Sequence, residues 1–347
     1  MRAIAILAVL QVHFGSVGCG YLGLPIPWAM GFIGGLGVEL FFVLSGFLIG
    51  GLLLDVAERS PAWRGWYTFL IRRWMRTLPL YFLWVAVLLV IMRPPSRSEY
   101  AFLFLTFTQN LFWPMPADNW FAVSWSISVE EWFYLLFSSV LLGLTALWRR
   151  GAMIVTCLLF LVVPLALRFA YGDVQDIDAG IRKVVAFRLD AIIYGVVAIW
   201  CCRRYPAVVA QLRGILFAAG LGLLAAIPTF AITMPAWAAY SIVPLCLALC
   251  LPAMAALARW PGAALVVWIS TRSYGLYLIH LTLIQVIDGR KGSMPPLLGL
   301  LIALILSLVV ADLLYRFFER PILRLRPVQR AGSASAEEAV EAVPARS

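Results

Sequence analysis

Histidine occurs only twice in 347 residues, as His13 and His280, and charged residues make up only 13% of the chain. A soluble domain carries about 25% charge and about 45–50% apolar residues. The 13% charge beside 63% apolar residues therefore excludes an ordinary water-soluble protein. The six cysteines, Cys19, Cys157, Cys201, Cys202, Cys246 and Cys250, lack metal-ligand or secreted-framework spacing. They lie in or beside apolar runs and read as small membrane-core residues; no metal is expected. There is no charged leader with a cleavage site before the first apolar run, no internal repeat, and no stretch that reads as a separate globular domain.

What the chain does have is a series of apolar runs near 20 residues, each long enough to cross about 30 Å of hydrocarbon as helix. The expected fold is all-α: a polytopic membrane protein of about ten transmembrane helices forming one bundle with a buried polar cavity. The segments are 2–18, 31–54, 73–92, 125–147, 152–171, 183–202, 213–233, 236–258, 264–287 and 297–318. The apolar stretch 101–113 is too short and is predicted to be interfacial or re-entrant. The membrane domain thus covers 1–327, and 328–347, rich in Ala, Glu and Ser, is expected to be a disordered cytoplasmic tail.

The net charge of +10 would suggest nucleic acid as partner in a soluble chain. Here the cations cluster between apolar runs, which makes them topological and leaves the lipid bilayer as the partner. One set of loops and helix ends holds Arg2, Arg59, Arg64, Arg72, Arg73, Arg76, Arg149, Arg150, Arg203, Arg204, Arg213, Arg259 and the C-terminal cluster. The other holds only Arg93, Arg97, Arg182, Lys183, Arg290 and Lys291. The positive-inside rule then places both termini in the cytoplasm of a multi-pass protein of the cell membrane. The first run is short and begins at Arg2 without a preceding loop, so either its helix is thin or Met1 is an internal methionine.

Ionisable groups inside apolar runs are functional candidates by default. Arg2 and His13 are eleven residues apart, about 16 Å along one helical face. Ser126, Glu130 and Tyr134 share a face, as do Ser273, Tyr277 and His280. Glu39 sits within the second run. Each has a structural alternative: an interhelical hydrogen bond for His13 or His280, and pairing with Arg168 or Arg188 for Glu130 and Glu131. Asp312 and Arg316 read as an i, i+4 ion pair, and Asp190 with Arg188 is undecided. The glycines at 34, 35, 37, 46, 50 and 51 suit close helix packing. The basic loop 67–79 puts Arg72 and Arg76 on one face with Arg73 beside them, either as a topological anchor or as a clamp for phosphate oxygens.

These pieces resemble the acyltransferase 3 family of integral membrane acyltransferases. The resemblance rests on Arg2 with His13, the segment 38–49 around Glu39, the basic residues Arg72, Arg73 and Arg76, the segment 124–131 ending in Glu130 and Glu131, 187–191, and 273–280. It runs in order from residue 2 to about 327. Two departures stand out: the Asp-Gly pair usual before the arginine is not in the sequence, and Trp132 stands where glutamine is common. No appended hydrolase-like domain is expected.

The resemblance implies transfer of an acyl group, typically acetyl, from acetyl-CoA or another acyl-CoA to a hydroxyl of a glycan or similar acceptor. A thioester is already activated, so the catalyst mainly needs a base for the hydroxyl and a stabiliser for the tetrahedral oxyanion. His13 is the candidate base, with Glu130 orienting its ring. Tyr277, Ser126 and Arg2 are candidate oxyanion donors, His280 and Glu39 further substrate-facing candidates, and Arg72, Arg73 and Arg76 the CoA phosphate ligands. Trp113, Trp120, Trp125 and Trp132 suit a sugar ring or the membrane interface. The rival classes are a secondary transporter of a small polar or anionic solute and a membrane scaffold. Against the transporter, no pair of Gly/Pro-broken helices occurs in matching halves.

Overall fold

A computed structural model describes residues 1–58, 62–91, 97–116, 120–171, 176–230, 235–256, 263–289 and 295–327. Arg59, Arg93, Arg259, Arg290, Lys291 and the segment 328–347 lie outside the described residues. All regular structure among the described residues is helical, as lipid requires, because a helix satisfies its backbone polar groups within one segment. The helices are α1 (Arg2–Tyr21), α2 (Trp28–Glu58), α3 (Ala62–Ile91), the short α4 (Arg97–Leu105), α5 (Ser124–Leu147) and α6 (Ala152–Tyr171). Then come α7 (Asp190–Arg204), α8 (Pro206–Phe230), α9 (Ala236–Ala256), α10 (Ala263–Asp288), α11 (Pro296–Leu314) and the short α12 (Arg320–Arg324).

Among the described residues, nine helices are long and apolar enough to cross a membrane. The chain is an all-α polytopic membrane protein. The nine do not include α10, a helix of 26 residues whose apolar run is broken by Arg272, Ser273, Tyr274, Tyr277, His280 and Thr282. It nonetheless packs along α1 and α11.

Two expected boundaries are corrected. The basic stretch 67–79 is not a loop: α3 runs through it, because arginine is a good helix former and the stretch holds no breaker before Pro79. Conversely, helix does not begin at 183. The backbone N–H groups of Val185 and Ala186 donate to the carbonyls of Asn110 and Leu111 at 2.9 and 3.0 Å. A short 3-10 turn at Val185–Phe187 follows, and α-helix begins at Asp190.

The stretch 101–113 is α4 followed by irregular chain in which Phe107 takes φ 59°. Gln109 and Asn110 are fully buried and fasten this segment to α5. Gln109 donates to Ser128 Oγ at 2.6 Å, and Asn110 to the Trp125 carbonyl at 3.2 Å. Gln109 and Asn110 thus tie the irregular chain to protein, which supplies partners for polar groups beside it.

At the centre lies α2, packed on α7, α1 and α9. Small residues at the α2–α7 seam set its closeness: a Cβ at Gly46 would fall 1.9 Å from the Ile192 carbonyl oxygen, and one at Gly195 equally close to that of Val43. Gly35, by contrast, faces open space. Helices α1 and α10 run parallel in one register. Tyr21 donates to Asp288, 267 residues onward, and His13 faces His280 at the same offset.

Candidate active site

A cavity of about 700 Å³, including its mouth, opens between α1, α2, α3, α5 and α10. Residues from all five helices reach its wall: Arg2 from α1, Ser45 from α2, Arg73, Arg76 and Thr77 from α3, Ser126, Glu130 and Tyr134 from α5, and Ser273, Tyr274 and Tyr277 from α10. The i, i+4 spacing on α5 explains why Ser126, Glu130 and Tyr134 arrive together, eight residues covering about 12 Å of helix. Arg73 lies 6.0 Å from the Tyr134 ring at one end. At the other end Tyr277 and Ser126 are joined through their hydroxyls at 2.7 Å.

Glu130 accepts hydrogen bonds from Ser45 at 2.9 Å and from Tyr134 at 2.7 Å. It shares the cavity wall with Arg2, Arg73 and Arg76. Glu131 points elsewhere, as expected for adjacent helical residues about 100° apart. It accepts from Thr77 at 2.6 Å and keeps one buried oxygen without a hydrogen-bond partner. Neither acid pairs with Arg168 or Arg188. Arg168 grips Asp190 with two bonds of 2.8 and 2.6 Å, and Arg188 holds both oxygens of Glu39 at 2.5 and 2.6 Å beneath the Tyr240 ring.

Of the sequence-derived candidates, Arg2, Glu130, Arg73, Arg76, Ser126 and Tyr277 meet on the cavity wall. Arg72 does not: it donates to the Pro327 carbonyl at 2.7 Å. The face that α3 turns to the cavity is Arg73, Arg76 and Thr77, not Arg72 with Arg76. Glu39 also stands off the wall, in its pair with Arg188. His13 and His280 lie beyond the Tyr277 end, their ring centroids 5.1 Å apart, with His280 6.0 Å from Tyr277. His280 is fully buried, whereas His13 is half-buried. The expected bond between Glu130 and His13 is replaced by the bonds from Ser45 and Tyr134.

Ser45, Thr77 and Tyr274 were not singled out from sequence, although Ser45 is a lone hydroxyl in an apolar run and so carried a signal. The tryptophans divide: Trp120 and Trp125 are core residues, Trp132 donates to the Phe107 carbonyl at 2.9 Å, and Trp113 is exposed. Trp132 thus anchors the strained turn and is not on the cavity wall. Asp312 accepts from Arg316 at 2.7 Å, the expected i, i+4 pair, and also from Arg272 at 2.5 Å.

Outside the spans, the segment before α7 is fastened by charge. Asp178 accepts from Arg182 at 2.8 Å and pairs with Lys183. Burial opposes its ionisation, yet these two cations prevail and hold its carboxyl below the ordinary aspartate range. Arg182 in turn lies 5.1 Å from the Trp125 ring.

No solved structure matches the chain. It is 26% identical over 381 residues to peptidoglycan O-acetyltransferase OatA of Listeria monocytogenes, covering 93% of this chain and 54% of that protein. It is 24% identical over 354 residues to O-acetyltransferase OatA of Staphylococcus aureus, covering 93% and 56%. The chain thus spans about half the length of the curated relatives it matches. Residues 1–316 match the acyltransferase domain of the acyltransferase 3 family, and with the cavity and its arginines lying inside that span, the chain belongs to this family.

Proposed function

We propose that the chain is a membrane O-acyltransferase that moves an acyl group, acetyl by the names of its relatives, from acyl-CoA to a hydroxyl of a glycan. The observation that carries this reading is the polarity of the cavity. Three arginines and Glu130 line it, and it ends at a Tyr277–Ser126 pair one ring away from the only two histidines of the sequence.

In this reading α10 also crosses the membrane, as the ninth of ten crossings, and both termini face the cytoplasm. The arginine end of the cavity then opens where CoA thioesters are found. Arg73 and Arg76 hold CoA phosphates, since guanidinium forks match phosphate oxygens, while Arg72 stays on the Pro327 carbonyl. The thioester reaches the Tyr277–Ser126 end, where these hydroxyls receive the oxyanion, while Arg2 stays with the arginines at the donor end. The acceptor hydroxyl approaches His13 from the opposite side. His13 takes the hydroxyl proton as the oxygen attacks the thioester carbonyl, then returns it to the departing CoA thiolate. Glu130 acts on the donor side, balancing the arginines rather than orienting His13.

The test uses the full chain in liposomes, radiolabelled acetyl-CoA and soluble peptidoglycan fragments as the probe acceptor. Base-labile label on the fragments is expected. His13→Ala should reduce transfer about 10²–10⁴-fold, the usual worth of a general base, with acetyl-CoA binding retained. Undiminished transfer by a normally inserted His13→Ala protein removes the base assignment. Counterflow of a solute without acyl transfer would favour a transporter.

A further inference from the structure

His280 offers one acceptor and the fold leaves it bare. Its Nδ1 lies 3.0 Å from the Leu276 carbonyl. A carbonyl oxygen only accepts, so Nδ1 carries the ring proton and Nε2 presents a lone pair. That Nε2 is fully buried and has no partner among the described residues. A buried acceptor without a donor is costly and calls for an explanation. Its polar neighbours narrow the choice. The Tyr277 hydroxyl is engaged with Ser126 at 2.7 Å, and Glu130 is taken by Ser45 and Tyr134. The His13 ring stands 5.1 Å away, centroid to centroid, on a helix locked parallel to α10 by the Tyr21–Asp288 bond.

We infer that His280 is the positioning residue for His13: its bare Nε2 is the acceptor to which a turn of the neighbouring His13 ring brings an N–H in the working enzyme, which selects one tautomer of that ring and leaves the opposite nitrogen free to take a proton. The inference rests on the proposed base role of His13 for its catalytic meaning, though not for its geometry. A ring nitrogen of a working histidine is set by the hydrogen bond that the other nitrogen makes. Here that bond comes from a second imidazole rather than a carboxylate. A neutral acceptor orients the ring without burying an anion beside it, and it strengthens when His13 becomes an imidazolium, because the donor is then charged.

Because the sequence contains two histidines, ring ¹⁵N spectra of the full chain in nanodiscs resolve both, and His13→Ala assigns them. The expected wild-type spectrum shows His280 protonated at Nδ1 and His13 as a single tautomer. His280→Leu should convert His13 to a tautomer mixture and lower kcat for acetyl transfer about 10–100-fold, the scale seen when an orienting partner of a working histidine is lost. Acetyl-CoA affinity should not change. His280→Gln keeps an acceptor oxygen and should restore both the single tautomer and most of kcat. A wild-type His280 protonated at Nε2 overturns the inference without any variant, as does a His13 spectrum indifferent to His280→Leu. If His13→Ala still transfers acetyl while the tautomer result holds, the base reading fails and the positioning geometry stands.

Discussion

Gly46 of α2 and Gly195 of α7 close the central seam of the bundle from opposite sides, each lying where a methyl group would meet the other helix's backbone carbonyl at 1.9 Å. The obstacle is backbone, which cannot rotate aside as a side chain can. Overpacking ordinarily costs about 1–3 kcal/mol, and here relief requires moving a whole helix. Gly46→Ala or Gly195→Ala is therefore expected to lower thermal stability in detergent, at or above the top of that range. Gly35→Ala, with open space around it, should be neutral. Equal melting temperatures for the three variants would contradict this account.

The Arg188–Glu39 pair reads as structural, since the 2.5 and 2.6 Å bonds use both oxygens of the acid away from the cavity. Breaking a buried pair from one side costs about 3–5 kcal/mol, because the partner is left charged and alone. Glu39→Ala should reduce folded yield and melting temperature by that measure. Glu39→Leu combined with Arg188→Met should recover much of the loss. Additive losses in the double variant would show that the two residues act separately.

Donor binding should separate neighbouring arginines. Arg73 and Arg76 face the cavity while Arg72 is spent on the Pro327 carbonyl. Hydrogen bonds to charged groups are worth about 1.5–3 kcal/mol, so Arg73→Ala and Arg76→Ala should each weaken acetyl-CoA binding roughly tenfold or more. Arg72→Ala should do less. Calorimetry with acetyl-pantetheine, which lacks the nucleotide phosphates, should show no difference among the three. A uniform loss with that truncated thioester would place the arginines elsewhere in the reaction.

The segment before α7 should resist acid. Asp178 has its carboxyl held below the ordinary value of 3.8 by Lys183 and Arg182 against the effect of burial. A depressed carboxyl contributes stability above the unfolded pKa and loses it as pH falls through the folded one. Amide exchange across 176–189 is thus expected to show no pH-specific loosening between pH 8 and 5, beyond intrinsic chemistry, with release only below 3.8. Asp178→Asn should loosen the same segment at every pH. Loosening of the wild-type segment near pH 5 would mean that the two cations do not control it.

Much of the site was legible because helical periodicity is strict. Ser126, Glu130 and Tyr134 had to share a face once α5 was recognised, and the cavity collects all three. Helix phase between segments was not legible. On α3, one residue of rotation decides whether Arg72 or Arg73 faces inward, and packing against α5 and α10 settles it for Arg73. Spacing put Arg2 and His13 on one helix but could not show that Arg2 would line the cavity while His13 packs against His280. Nor could local pattern anticipate that 183–189 would bond to Asn110 and Leu111, partners more than seventy residues earlier in the chain.

Composition and period alone determined that this is a membrane bundle, since no arrangement in water buries 63% apolar residues with so little charge. They also determined which polar groups lie at depth, because an apolar run long enough to span carries its polar residues in with it. Tertiary packing decided the partners: Glu39 with Arg188, Asp190 with Arg168, Glu130 with Ser45, and His13 beside His280. An ion or imidazole in hydrocarbon must find a complement, yet many complements fit the same sequence. Only the register between helices, set at close contacts such as Gly46 against Ile192, selects one.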